Sequence, residues 1–407
     1  MESKTLRSGL RFIHRQLDSP VVYVGIAIGV GTRHEKRGEY GLAHFTEHML
    51  FKGTTSRSSK DIIMELEDVG GELNAYTGKE ETILYALCPK AYAERALRLM
   101  ADIVQNSVFA PHELEKEQTV VIDEIHSYED SPSELIWDEF EDIVFKGHAL
   151  GHAILGTEKT VSSFTQKKEQ RFFEEHYKAS NMVVFSQGDI DVEAFEVLIE
   201  ECFSHAPEEA MPQRRTYEPP RLEESPRQIT RRRDTSQRHV IIGASAYSMH
   251  DKRRLGLSLL VNILGGPGMS SRLNMSLREE SGYAYNVDCV YTAYSDTGLV
   301  AINFGCGKQH VQDAIALTHQ ELKRITEEQL SEEELEQAKR QLKGQLTVAS
   351  DGHENYFLSL GKAYLHFDKV EPLDVTMQRI DALQAYDLAE IAREIFPSER
   401  MYTLIYT

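Results

Sequence analysis

Gly41-Leu42-Ala43-His44-Phe45-Thr46-Glu47-His48-Met49-Leu50-Phe51-Lys52-Gly53 is the stretch from which the rest of the chain can be read. Its apolar spacing predicts a helix over 40–52, with Gly53 where a left-handed glycine commonly ends one. At about 100° per residue, His44, Glu47 and His48 fall within roughly one third of the helix circumference. Two imidazoles four residues apart can reach one metal ion. Glu47 projects beside them, where it can hold a water. This is the inverted order, H-x-x-E-H, of the H-E-x-x-H zinc-binding motif. Leu42, Ala43, Met49 and Leu50 are apolar, so this face borders a core. Burying two histidines and a glutamate there without partners would be costly.

A catalytic zinc site takes three protein ligands and keeps one position open for water. The third ligand is sought on the next long acidic helix, predicted over 111–128 with a proline in its first turn. Glu117 and Glu124 are seven residues apart there, hence nearly superposed on one face. Val120, Val121 and Ile125 make that helix partly buried, and a charge on a half-buried helix needs a partner. Spacing alone does not choose between the two glutamates.

Working outward, 21–30 and 82–88 read as strands, and 59–68 and 91–105 as helices. Residues 206–235 hold five prolines among many charges and read as an exposed linker. The domains are therefore expected at 1–205 and 236–407, joined by 206–235. The second half repeats the order of the first. Gly41-Leu42-Ala43 aligns with Gly256-Leu257-Ser258, and His112-Glu113-Leu114-Glu115 with Glu333-Glu334-Leu335-Glu336. In that register His44, Glu47 and His48 face Leu259, Asn262 and Ile263, and Glu124 faces Gln345. A duplicated fold whose second copy lost the metal ligands is expected. The class read from this is α+β, two homologous α/β domains related by duplication.

The chain has 407 residues, too many for one ordinary core. Its 41% apolar and 27% charged residues place it among soluble globular proteins. A formal net charge of −20 argues against nucleic acid, whose binders need a basic surface. No run approaches 18 apolar residues, so no membrane span is expected. The opening Met1-Glu2-Ser3-Lys4-Thr5 carries no signal or transit pattern, and a cytoplasmic location is expected. Cys88, Cys202, Cys289 and Cys306 form no CxxC and are expected reduced and mostly buried.

His44-x-x-Glu47-His48 followed by Glu124, with 124 − 48 = 76, resembles the pitrilysin-type inverzincins, which include insulin-degrading enzyme and the mitochondrial processing peptidases. The resemblance spans the chain. It is carried by Leu6 to Arg11, Gly41 to Thr54, Gly70-Gly71-Glu72-Leu73-Asn74-Ala75, Glu124-Ile125 with Asp130-x-Pro132, and Phe145 to Gly156. In the second half it is carried by Gly265–Gly268, Ser271-Arg272-Leu273, Arg278-Glu279 and Gly282-x-x-Tyr285. Departures are small: Asp123 stands where a glutamate is frequent, Ala149 where a proline is, and the glycine-rich loop is short.

The resemblance implies Glu124 as third ligand and Glu117 as an outer carboxylate supporting the site. It implies zinc as cofactor, Glu47 as the catalytic base, Asn74 and Ala75 as edge-strand residues that pair with peptide substrates, and Arg278 and Tyr285 as a pair contacting the bound peptide. It implies α/β sandwich domains forming half of a clamshell. The expected function is zinc-dependent endopeptidase action on peptides or unfolded segments inside that chamber, and a homodimer is expected. The alternative is a non-catalytic structural or partner subunit of the same fold, for which ligand loss would be the sign. His112, His126, His148 and His152 are expected to be structural or exposed, and 332–334 to face water.

Overall fold

The computed structural model describes residues 1–207, 217, 220, 228–233 and 235–407. Most of the expected linker, 206–235, lies outside the described residues. Along the chain the strands are β1 (Glu2–Thr5), β2 (Arg11–Gln16), β3 (Val21–Ile28), β4 (Glu72–Thr77), β5 (Thr82–Pro89), β6 (Met182–Gly188), β7 (Gln228–Arg231), β8 (Arg238–Ala246), β9 (Ala284–Ala293), β10 (Gly298–Cys306) and β11 (Tyr402–Tyr406). The helices are α1 (Leu42–Leu50), α2 (Ser59–Glu67), α3 (Ala93–Asn106), α4 (Pro111–Glu129), α5 (Pro132–Val144), α6 (Glu158–Val161), α7 (Gln166–His176) and α8 (Val192–Cys202). They continue with α9 (Arg254–Gly265), α10 (Val311–Glu327), α11 (Glu332–Asp351), α12 (His353–Phe367), α13 (Leu373–Ala382) and α14 (Ala385–Ile395).

Each expected element of the first half is present, with ends moved by at most two residues. Ser58 shows why α2 starts where it does. Its hydroxyl accepts from Asp61 N, and the Asp61 carboxylate accepts from Ser58 N, a reciprocal cap.

The duplication appears in the sheets. The first runs β1-β2-β6-β3-β5-β4 and the second β7-β11-β8-β10-β9. Setting β1 aside, β2, β6, β3, β5 and β4 take the places of β7, β11, β8, β10 and β9. Both sheets contain one parallel pair, β2 with β6 and β7 with β11, at the same position. Even a 3-10 turn recurs, Lys90–Tyr92 before α3 and Lys308–His310 before α10. In the second copy Leu259 and Asn262 are buried, and no metal-ligating side chain stands in their place.

Two compact units result, and they interleave along the chain. The first contains Met1–Ser127, the described part of His152–Arg215, and Ser350–Val370. The second contains Tyr128–Gly151, the described part of Thr216–Ala349, and Glu371–Thr407. The expected division at 206–235 gave no sign of this exchange, whose reason is the second face of each sheet. In the first unit Ile13, Ala27, Ile83, Val183 and Phe185 present an apolar sheet face, covered by Phe357, Leu360 and Tyr364 of α12. In the second, Ile241, Leu299, Tyr402, Leu404 and Tyr406 are covered by Ile136, Phe140 and Val144 of α5. Both helices carry their apolar residues at three- and four-residue spacing, the pattern of one buried stripe. Phe185 stacks on Phe357 at 4.4 Å between ring centroids. Gly361 lets α12 come this close, because a Cβ there would sit 2.7 Å from the Phe185 ring.

Candidate active site

Helix α1 begins abruptly at Gly41, whose φ of +96° suits glycine. A Cβ at Gly41 would lie 2.5 Å from Leu155 O, and Gly156, also left-handed, backs against Tyr40 O and Gly41. The free N–H groups of the first turn are met by one buried carboxylate. Gly41 N donates to Glu35 Oε2 at 3.0 Å and Ala43 N to Glu35 Oε1 at 2.7 Å. His152 Nε2 lies 2.9 Å from Glu35 Oε2, and its ring stacks on Tyr40 at 3.9 Å. His152 is thus structural, as expected. Glu35 was missed because a charged loop residue upstream of the motif carries no periodic signal.

On the other side of α1 the expected cluster forms. Ligand atoms from His44, His48 and Glu124 all lie within 4.8 Å of one another. His44 Nε2 is 3.8 Å and His48 Nε2 3.5 Å from Glu124 Oε2. These spacings are long for hydrogen bonds. Two atoms bound tetrahedrally at zinc's usual distances would stand about 3.4 Å apart. The donor set of two imidazoles and a carboxylate therefore suits zinc in number and type, and its two histidine–carboxylate separations are near that spacing.

Glu117 and Glu124, not separated by spacing alone, differ in what each carboxylate touches. Glu117 Oε1 lies 2.9 Å from His48 Nδ1, and Oε2 lies 2.5 Å from Lys52 Nζ. Both oxygens are thereby used. A proton on His48 Nδ1 would be held by Glu117, with Nε2 on the side of Glu124. On α4, Leu114, Glu117, Val121 and Ile125 form the buried stripe. Val120, expected among them, is 49% exposed because it falls off that stripe.

The local charges are strongly shifted. Burial, then the neighbouring His48, brings the His44 imidazole down to about 4, only partly opposed by Glu124. Burial would lower His48 too, but Glu117, Glu124 and Glu47 outweigh it and raise that imidazole to about 9. A proton and a metal ion would therefore compete for His48 Nε2.

Glu47 is 8% exposed and points beside the cluster. Burial pushes its carboxyl up, and a hydrogen bond from Thr77 holds part of that back. Thr77 Oγ1 donates to Glu47 Oε2 at 2.6 Å, which occupies one carboxylate oxygen. Thr77 ends β4, and sequence reasoning missed it. The same strand carries Asn74 and Ala75, paired with Tyr85 and Leu84 of β5. Among the described residues β4 is an edge strand, so its outer side has no sheet partner.

Arg278 and Tyr285 belong to the second unit. Arg278 sits in a π-helical turn, Asn274–Glu280, a rare geometry frequent at functional sites. Its guanidinium lies 5.4 Å from the Tyr285 ring centroid, and Tyr285 is 80% exposed. The other histidines fall as expected: His112 and His126 are largely exposed, and His148 faces Asp296 at 3.5 Å. Residues 332–334 are exposed. Three of the four free cysteines are buried and Cys202 is half-buried. Among the described residues no helix is long and apolar enough to cross a membrane.

The chain is similar to known proteins in sequence and in fold. A model of the insulinase family, peptidase family M16, matches residues 12–158, and one described as peptidase M16 inactive domain matches 163–342. A Rickettsia felis protein named "Uncharacterized zinc protease" is 36% identical, covering 93% of this chain and 90% of its own. A zinc protease of the same description from Bacillus subtilis is 32% identical over 98% of this chain and 97% of its own. In fold, a protease from Helicobacter pylori superposes with a TM-score of 0.89 at 22% identity, over 100% of this chain and 99% of that one. A peptidase M16 inactive domain from Pseudomonas fluorescens gives 0.88 at 19%, over 100% and 97%. Two tandem matches and relatives similar from end to end lead to one conclusion: this chain belongs to peptidase family M16, the insulinase family.

Proposed function

We propose that this chain is a zinc-dependent endopeptidase acting on peptides or unfolded segments, with the metal held by His44, His48 and Glu124. The observation that carries the reading is the convergence of His44 Nε2, His48 Nε2 and Glu124 Oε2, with the Glu47 carboxylate beside them. When bound, zinc supplies Lewis acidity to a water and to the scissile carbonyl.

The protein groups would do the rest. Glu47 Oε1, left open by the Thr77 bond to Oε2, accepts the proton of the attacking water. Its raised affinity for protons suits a base that must later return that proton to the leaving amine. Glu117 keeps His48 in the tautomer that presents Nε2. Asn74 and Ala75 lend the outer edge of β4 to the substrate backbone, which joins as an added strand. Arg278 and Tyr285 are proposed substrate contacts, and the exposure of Tyr285 leaves its ring available for that role. The chain is proposed to work in the cytoplasm as a homodimer, each site completed by the partner's Arg and Tyr.

A non-catalytic subunit of the same fold is the rival reading, but it predicts loss of ligands, and this chain keeps His44, Glu47, His48 and Glu124. The test is hydrolysis of a quenched peptide library by wild type, by chelated protein with zinc restored, and by Glu47→Gln. Cleavage should vanish on chelation, return with zinc and be nearly absent in Glu47→Gln. Undiminished turnover by Glu47→Gln would overturn the mechanism. Arg278→Ala mixed with Glu47→Gln should regain activity if sites are shared between chains; mixtures no better than their parts would contradict the shared site.

A further inference from the structure

Thr46 lies on α1 between the two histidines, about 160° around the helix from each of them. It faces the core with Leu42, Phe45, Met49 and Leu50. There it meets α7, whose buried stripe is Glu169, Phe172, Phe173 and His176. Glu169 thus occupies a position that periodicity would give to an apolar residue, and it is 0% exposed. Thr46 Oγ1 stands 2.8 Å from Glu169 Oε2 and 2.7 Å from Leu42 O.

A threonine hydroxyl has one hydrogen to give. Both neighbours are oxygens at hydrogen-bond distance. If Glu169 were ionised, one of these contacts would bring two oxygens together without a proton. Both are satisfied when Glu169 carries the proton: its O–H donates to Thr46 Oγ1, and Thr46 donates to Leu42 O.

We propose that Glu169 is a neutral carboxylic acid acting as a positioning residue, its O–H fixing the rotation of α1 so that His44 and His48 face Glu124. Burial is the chief reason its carboxyl is pushed up to about 8, with Thr46 opposing and the Glu35 charge adding. Among the described residues, the titratable groups coupled to it are Glu35, the loop carboxylate that meets the first N–H groups of α1, and Tyr177, just after α7. The remaining oxygen, Oε1, is buried with no hydrogen-bond partner among the described residues, as suits the weaker acceptor of a neutral acid rather than a full charge. The inference deepens the metal-site reading and rests on it for the zinc readout alone.

The test compares full-length wild type with Glu169→Gln, Glu169→Ala and Thr46→Val. Zinc affinity is measured by competition with a chromophoric chelator, and the metal-free proteins are melted from pH 5 to 9. A glutamine amide also donates to Thr46 and stays neutral, so Glu169→Gln should keep zinc affinity within about 3-fold. Glu169→Ala and Thr46→Val should weaken it 10-fold or more. Unfolding frees Glu169 to ionise near 4.5, so wild type should lose stability relative to Glu169→Gln as pH rises to about 8, then run parallel. If Glu169→Gln loses zinc as badly as Glu169→Ala, or Thr46→Val binds zinc like wild type, the proposal is wrong. Should wild type bind no zinc, the metal reading fails, and the melting comparison still decides the protonation of Glu169.

Discussion

His48 Nδ1 and Glu117 Oε1 lie 2.9 Å apart, and the second oxygen of that carboxylate meets Lys52 Nζ at 2.5 Å. Residues on two helices far apart in the chain thereby meet at one imidazole, whose Nε2 lies on the side of Glu124. Glu117→Gln should weaken zinc binding by roughly 10–100-fold, because orienting partners of ligands typically carry that much. Competition with a chelator checks it, and unchanged affinity would remove Glu117 from the account.

Thr77 anchors the proposed base rather than the metal. Thr77→Val should leave the zinc content at one per chain and lower kcat about 10-fold, as expected for losing a hydrogen bond to a charged group. Metal analysis and peptide kinetics on the same preparation separate the two effects. A loss of zinc would place Thr77 in the wrong role.

The first sheet depends on a helix supplied late in the chain. Phe357→Ala should cost about 3–5 kcal/mol by emptying the space against Phe185. Urea unfolding of the full chain measures it. A fragment ending at residue 207 should expose the apolar face that α12 covers and bind a hydrophobic dye, where the full chain does not.

Acid should act through Glu81. Burial alone would raise this carboxyl, but the hydrogen bond from His366 and the Lys362 ammonium outweigh it and bring it to about 2. A lowered acid stabilises fully above its unfolded value, near 4.5, and loses that contribution as pH falls through about 2. The excess stability of wild type over Glu81→Gln, on the order of 3 kcal/mol at neutral pH, should shrink as pH falls from 5 to 2. Melting both with the metal chelated reads it, and a constant difference contradicts the pairing.

What the sequence disclosed follows periodicity. His44, Glu47 and His48 were legible because helical spacing puts them on one face, and β3, β5, α3 and α4 because their apolar patterns are long. The repeat was visible in short matches such as those around Gly256 and Glu333, and the sheet orders bear it out. Glu124 could be separated from Glu117 by resemblance but not by spacing, since seven residues return to the same face; in the structure Glu117 meets His48 Nδ1 and Lys52, while Glu124 lies on the Nε2 side. Glu35, Thr77 and Glu169 stayed hidden because their partners come from sheet topology and helix packing, not from neighbours in sequence. The placing of α5 and α12 was invisible for the same reason: an amphipathic helix says that it will be covered, not by which sheet.

The most direct measurement is an anomalous difference map, collected at the zinc absorption edge from crystals of protein purified without chelator. The account predicts one strong peak per chain, in contact with His44 Nε2, His48 Nε2 and a Glu124 carboxylate oxygen, with Glu47 beside it and not bound to it. A peak ligated by Glu117 in place of Glu124, or no peak between the two histidines, would contradict it.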